Sequence, residues 1–64
     1  MSFEIKGLLE KRANLIKECR AISEKAEAEN RNLNAEETAN DKRLNDEIDA
    51  MTSRVERLTR IEEA

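Results

Sequence analysis

Apolar side chains recur along the first half of the chain at intervals of three and four. Ile5, Leu8, Leu9, Leu15, Ile16, Cys19, Ile22 and Ala26 form one stripe on a helix of 3.6 residues per turn. Positions 5, 8, 12, 15, 19, 22 and 26 also keep the alternating three-four rhythm of the a and d sites of a coiled coil, with Arg12 as the one polar member. Ser2 is a suitable N-cap. Gly7 disfavours helix by about 1 kcal/mol relative to Ala, so either the first turns fray or the stable helix begins after it.

The second half repeats the rhythm. Leu44, Ile48, Met51, Val55 and Leu58 step by four, three, four and three, and Ile61 continues the row. Extended backward, the row meets Asp41 and Glu37, which predicts looser packing near the start of this helix. Between the halves stands Asn30-Arg31-Asn32-Leu33-Asn34. Asn tolerates left-handed backbone angles and hydrogen-bonds its own backbone, so three of them in five residues predict a turn. Asn34 is placed to cap the second helix, with Glu37 three residues on as its reciprocal partner. Glu36 and Glu37 sit where the helix dipole favours acids.

These signals predict an all-α fold, an antiparallel coiled-coil hairpin of two helices over about 2–29 and 35–62, joined by a turn over about 30–34. A turn this short makes the helices antiparallel neighbours, each of about 28 residues and roughly 42 Å. Folding about Arg31 to Leu33 sets Ile22 near Leu44, Cys19 and Leu15 near Ile48 and Met51, Leu8 and Leu9 near Val55, and Ile5 near Leu58 and Ile61. Charge agrees with that alignment. Lys11, Arg12, Lys17, Arg20 and Lys25 face a segment holding Glu36, Glu37, Asp41, Asp46, Glu47 and Asp49, while Arg54, Arg57 and Arg60 face Glu4 and Glu10. Each exposed pair is weak, but the pattern selects a register.

Composition supports helices over disorder. Of 64 residues 42% are charged, yet 12 basic and 15 acidic residues are interspersed and the net charge is only -3. There is no Pro, one Gly, and one aromatic residue, Phe3. A chain this small buries a low fraction of its surface, and one seam is a thin core. Leu9 and Ile16 lie beside the main row and widen the first helix's stripe, which predicts that hairpins self-associate into a helical bundle, most simply a two-fold dimer.

Candidate chemistry is sparse. Without His, imidazole catalysis and ligation are excluded, and one Cys makes no zinc site. No Gly-rich phosphate loop occurs. The paired acids Glu36-Glu37 and Asp46-Glu47 read as helix-face and N-terminal residues, since acid-base work needs a cleft that shifts their pKa values. The chain is therefore expected to be no enzyme and to need no cofactor or metal. Cys19 reads as a small buried hydrophobe, with a redox crosslink as the alternative. Arg12 reads as an aliphatic stem crossing the seam, with a register-setting ion pair as the alternative. No apolar run nears the roughly 18 residues that span a bilayer, and the start lacks signal-peptide features, so a soluble, intracellular chain is expected, without membrane contact. A pI near 5.0 argues against nucleic acid as a partner and so against a helical-hairpin RNA binder.

Three strings carry a resemblance. The first is Gly7-Leu8-Leu9-Glu10-Lys11-Arg12-Ala13-Asn14-Leu15. The second runs from Lys25-Ala26-Glu27-Ala28-Glu29 through the Asn-rich turn to Ala35-Glu36-Glu37. The third is Leu44 with Glu47-Ile48-Asp49-Ala50-Met51 and Arg54-Val55-Glu56-Arg57. Together, over roughly residues 5 to 62, they resemble the N-terminal delta, or scaffolding, domain of tailed-bacteriophage major capsid proteins of the Hong Kong 97 type. The chain departs from that family at Asp41, where members commonly carry a large apolar residue. The resemblance implies a scaffolding domain that promotes procapsid assembly by helix-helix association. Its partners would be its own copies, other capsid subunits and a phage maturation protease. It would act in the procapsid interior, assembled in the host bacterial cytoplasm, with the shell domain downstream and outside residues 1–64. A generic coiled-coil oligomerisation module of a bacterial cytoplasmic protein is the alternative. In either case the expected interface is Ile5, Leu8, Leu9, Leu15, Ile16, Cys19, Ile22, Leu44, Ile48, Met51, Val55, Leu58 and Ile61.

Overall fold

The computed structural model describes residues 2–63. Met1 and Ala64, the ends of the 1–64 domain expected from sequence, lie outside the described residues. Two helices, α1 (Phe3–Ala28) and α2 (Ala35–Glu63), pack side by side as a hairpin. The molecule measures 48 × 16 × 12 Å. Its long dimension is that of α2, whose 29 residues rise about 43 Å at 1.5 Å each.

Helix α1 begins where Ser2, in extended conformation, accepts the Ile5 N–H on its hydroxyl at 3.2 Å, while its carbonyl accepts the Lys6 N–H at 3.0 Å. One orphan donor of the first turn is thereby satisfied. Gly7 does not delay the helix, which runs through it from Phe3. The cap, Glu4 in the first turn and the packing of Ile5 offset its weak propensity. Phe3 is 94% exposed.

Helix α1 ends at Ala28 because Asn30 turns left-handed, with φ 57°. The Asn30 N–H then donates to the Glu27 carbonyl and the Arg31 N–H to the Ala26 carbonyl, both at 3.0 Å. This 5→2 and 6→1 pair is a Schellman motif, with Asn in the place Gly most often fills. Helix α2 starts with the reciprocal cap expected from sequence. The Glu37 N–H donates to Asn34 Oδ1 at 2.8 Å, and the Asn34 N–H donates to Glu37 Oε1 at 3.0 Å.

The seam between the helices is the core. Ile5, Ala26 and Leu44 are buried, and no polar side chain is buried among the described residues. Around them Leu8, Arg12, Leu15, Cys19 and Ile22 of α1 are half-buried, as are Glu37, Asp41, Ile48, Met51, Val55 and Leu58 of α2. The three-four row of each helix thus faces the other helix, polar members included.

Gly7 offers a simple check on the energetics of α1. An added methyl group there would meet nothing within 4 Å. Gly7→Ala should stabilise the hairpin by about 0.5–1 kcal/mol through propensity alone. Thermal melts followed at 222 nm would show it, and an unchanged or lower midpoint would mean that the first turns of α1 contribute nothing to the folded state.

Candidate helix-association surface

The expected interface residues divide by position along the seam. Ile5 and Leu44 are buried, at 4% and 2% exposure. Leu8, Leu15, Cys19, Ile22, Ile48, Met51, Val55 and Leu58 are half-buried in the row, and Leu9 and Ile16 are half-buried beside it. Ile61 is 63% exposed and corrects the expected pairing with Ile5. The row steps from Leu58 to Glu62, not to Ile61, because the four-residue step follows the three-residue one. Ala26, which the stripe includes but the expected interface omits, is among the three buried side chains. Its small size at a core position near the loop is the signal that helices approach closely there.

Cross-helix electrostatics agree with the alignment. Arg54 lies 3.6 Å from Glu4, joining the far end of the hairpin. Lys25 is close enough to Glu37 to favour its charged form. Partial burial, and then the carboxylates of Asp41 and Glu18, push the Cys19 thiol upward. Cys19 is half-buried in the row, where it packs as a small apolar side chain. The other ion pairs among the described residues are local. Lys42–Asp46 at 2.8 Å and Arg43–Glu47 at 3.5 Å are exposed i,i+4 pairs on α2.

The strongest polar constellation is at the loop. Arg31 Nη1 and Nη2 donate to the two carboxylate oxygens of Glu37 at 2.6 and 3.2 Å. Arg31 Nε donates to Glu29 Oε1 at 3.0 Å, and Nη1 also reaches the Asn32 carbonyl at 3.2 Å. A two-pronged bond of this kind fixes geometry as well as adding attraction. It ties the first residues past α1 to the first turn of α2. Glu37 Oε1 serves both this clamp and the Asn34 cap. The clamp and the cap hold the Glu37 carboxyl well below its ordinary value of 4.5, at about 2, and the carboxylates raise Arg31 in turn. Sequence patterning placed Arg31 in a turn without a role. The available signal was its position between Glu29 and Glu37, the only basic residue of the loop.

No three acidic or Cys side chains among the described residues cluster so as to hold a metal ion. None of the described helices is long and apolar enough to cross a membrane. What the surface offers is an apolar row that one partner helix covers only in part.

No family model, curated protein or solved structure matches this chain. The surface must therefore be read from its own chemistry.

Two outcomes follow from this geometry. Asp41→Leu would extend the buried row toward the loop beside Cys19. It should add about 1 kcal/mol, or roughly 4–8 °C in melting midpoint for a domain of this size. An unchanged midpoint would contradict the placement of Asp41 in the seam. For Glu37 the folded pKa lies below the unfolded one. Its contribution is therefore complete above pH 4.5 and is lost as pH falls toward about 2. Parent and Glu37→Gln should differ in melting midpoint at pH 7, with the parent more stable, and converge near pH 2. Equal midpoints at pH 7 would show that the clamp does not hold the hairpin together.

Proposed function

We propose that this chain is an assembly segment, a scaffolding domain of a phage major capsid protein that promotes procapsid formation through helix-helix association. One observation carries the reading: outside Ile5, Ala26 and Leu44, the apolar row stays only partly covered when the two helices are packed. Apolar surface left at the boundary of a fold is the usual mark of association with another protein surface. The resemblance of the loop and flanking strings to delta domains supplies the biological setting, with other capsid subunits as partners and a phage protease as the agent of removal. No residue is assigned a catalytic role. The interior of a phage procapsid, assembled in the host bacterial cytoplasm, is the compartment this reading implies.

A generic coiled-coil oligomerisation module rests on the same half-covered row and differs only in what the rest of the chain does. One experiment separates the two. The complete reading frame that contains this segment is expressed in bacteria with and without residues 2–63, and particles are examined by electron microscopy. The proposal expects closed shells from the complete protein and aberrant or absent shells after deletion. A reading frame that forms no shell in either state, or normal shells after deletion, would overturn it.

A further inference from the structure

The two edges of the seam differ in chemistry. The Glu4–Arg54 ion pair marks one edge. Steps of seven residues from this pair lead to Lys11, Glu18 and Lys25 on α1 and to Asn40, Glu47 and Ile61 on α2, since such steps return to the same side of a coiled-coil helix. All six charged members are exposed. The opposite edge is marked by a groove that Leu9 and Thr59 line together with Ile5 and Val55, and with Glu62 and Glu63 at the end of α2. Steps of seven from Leu9 and Thr59 lead to Ser2, Ile16 and Ser23 on α1 and to Thr38, Asn45 and Thr52 on α2. None of these eight positions is charged, in a chain that is 42% charged.

This edge is also drier than its composition implies. The Thr52 hydroxyl donates to the Ile48 carbonyl at 2.9 Å, and Asn45 Nδ2 donates to the Asp41 carbonyl at 2.9 Å. Both side chains bond back onto their own helix, so covering them strips fewer donors of water. Leu9, Ile16, Thr52 and Thr59 are already half-buried in the single hairpin. The surface area makes a matching statement. The molecule exposes 5013 Å². A folded monomer of 7.4 kDa is expected to expose roughly 4,200 Å². The excess of about 800 Å² belongs to the elongated 48 × 16 × 12 Å shape, and it leaves enough surface for one side of a stable interface of standard size.

We propose that the uncharged edge seats a second copy of this chain, in a two-fold four-helix bundle centred on Leu9, Ile16, Thr52 and Thr59. A two-fold interface presents a surface to itself, and a bundle centred on these four residues meets itself without burying a charge there, with the exposed Glu62 and Glu63 left at the end of α2. The opposite edge would have to desolvate Glu4, Lys11, Glu18, Lys25, Glu47 and Arg54 to do the same. The inference names the partner and the face for the assembly reading, and it rests on that reading for its biological meaning only.

The test uses the 64-residue chain itself. Sedimentation equilibrium of the parent should show a concentration-dependent dimer at micromolar concentrations. Ile16→Lys with Thr52→Lys should weaken dimerisation at least ten-fold, whereas Glu18→Ala with Glu47→Ala should change it less than about two-fold. Cross-linking covers the case in which the lysine pair unfolds the hairpin. In a Cys19→Ala background, Thr52→Cys should give oxidised dimers at equilibrium and Glu47→Cys should not. A parent that stays monomeric at concentrations on the order of hundreds of micromolar would overturn the inference, as would cross-linking through Glu47→Cys in preference to Thr52→Cys. Neither result touches the shell-assembly experiment, which reads the complete protein, so the two proposals fail separately.

Discussion

Two helices packed along one line can each cover only the strip that faces the other, and this limit governs the rest of the molecule. The strip is wide enough to bury Ile5, Ala26 and Leu44 and to half-bury the remaining row. It leaves no second layer in which a cavity, a cleft or a buried titratable cluster can form. Of the paired acids at Glu36-Glu37 and Asp46-Glu47, three have local ion-pair partners among the described residues. Glu37 closes the loop, while Asp46 and Glu47 pair with Lys42 and Arg43 one helical turn earlier. The same limit explains why Arg12 and Asp41 are tolerated in the row. A half-buried position lets a charged head group stay in water while its stem or backbone packs, which a closed core does not allow.

With so little burial, the geometry of the loop carries much of the specification. Antiparallel packing requires the chain to reverse within 29–34, and it does so without Gly or Pro. Asn30 takes the left-handed angle, the Ala26 and Glu27 carbonyls are satisfied by the residues that follow, and Asn34 opens α2 with both cap bonds in place. Each device terminates or starts a helix by itself. Arg31 couples them, because its backbone N–H closes α1 while its guanidinium holds the first turn of α2. A loop joined in this way selects one alignment of the two apolar rows. At the far end, Glu4–Arg54 agrees with that alignment.

Most of the hairpin was legible in the sequence because it rests on short-range rules. The three-four rhythm, the Asn-rich turn and the Asn34–Glu37 box all act over a few residues, and the observed helices differ from the expected spans by one residue at three boundaries and coincide with them at Ala35. What patterning missed depends on distance in space. Ile61 looked like a member of the row because it is apolar, but the heptad step passes to Glu62 and leaves Ile61 on the edge. Arg31 gained a role only once the loop brought Glu37 beside it, six residues away. Gly7 was weighed by intrinsic propensity alone, and a good cap together with the burial of Ile5 outweighed it. The uncharged edge was half visible as Leu9 and Ile16. Its α2 half, Thr52 and Thr59, emerged only when the register set those residues beside them.

The composition of that edge bears on what kind of association it can support. Leu at all eight positions would give a permanent bundle and an aggregation-prone monomer, since large exposed apolar patches recruit any similar surface. Charge at those positions would forbid burial. Serine, threonine and asparagine around Leu9 and Ile16 make an intermediate surface. Each hydroxyl can be satisfied by water when exposed, or by its own helix when covered, as Thr52 already is. The gain on covering such a face comes from a few methyl and isobutyl groups, which sets a modest affinity for any one pair of hairpins. Modest pairwise affinity suits a segment whose copies are held close by a larger assembly, because local concentration then does most of the work of association and release needs only that the assembly change shape or the segment be cut away.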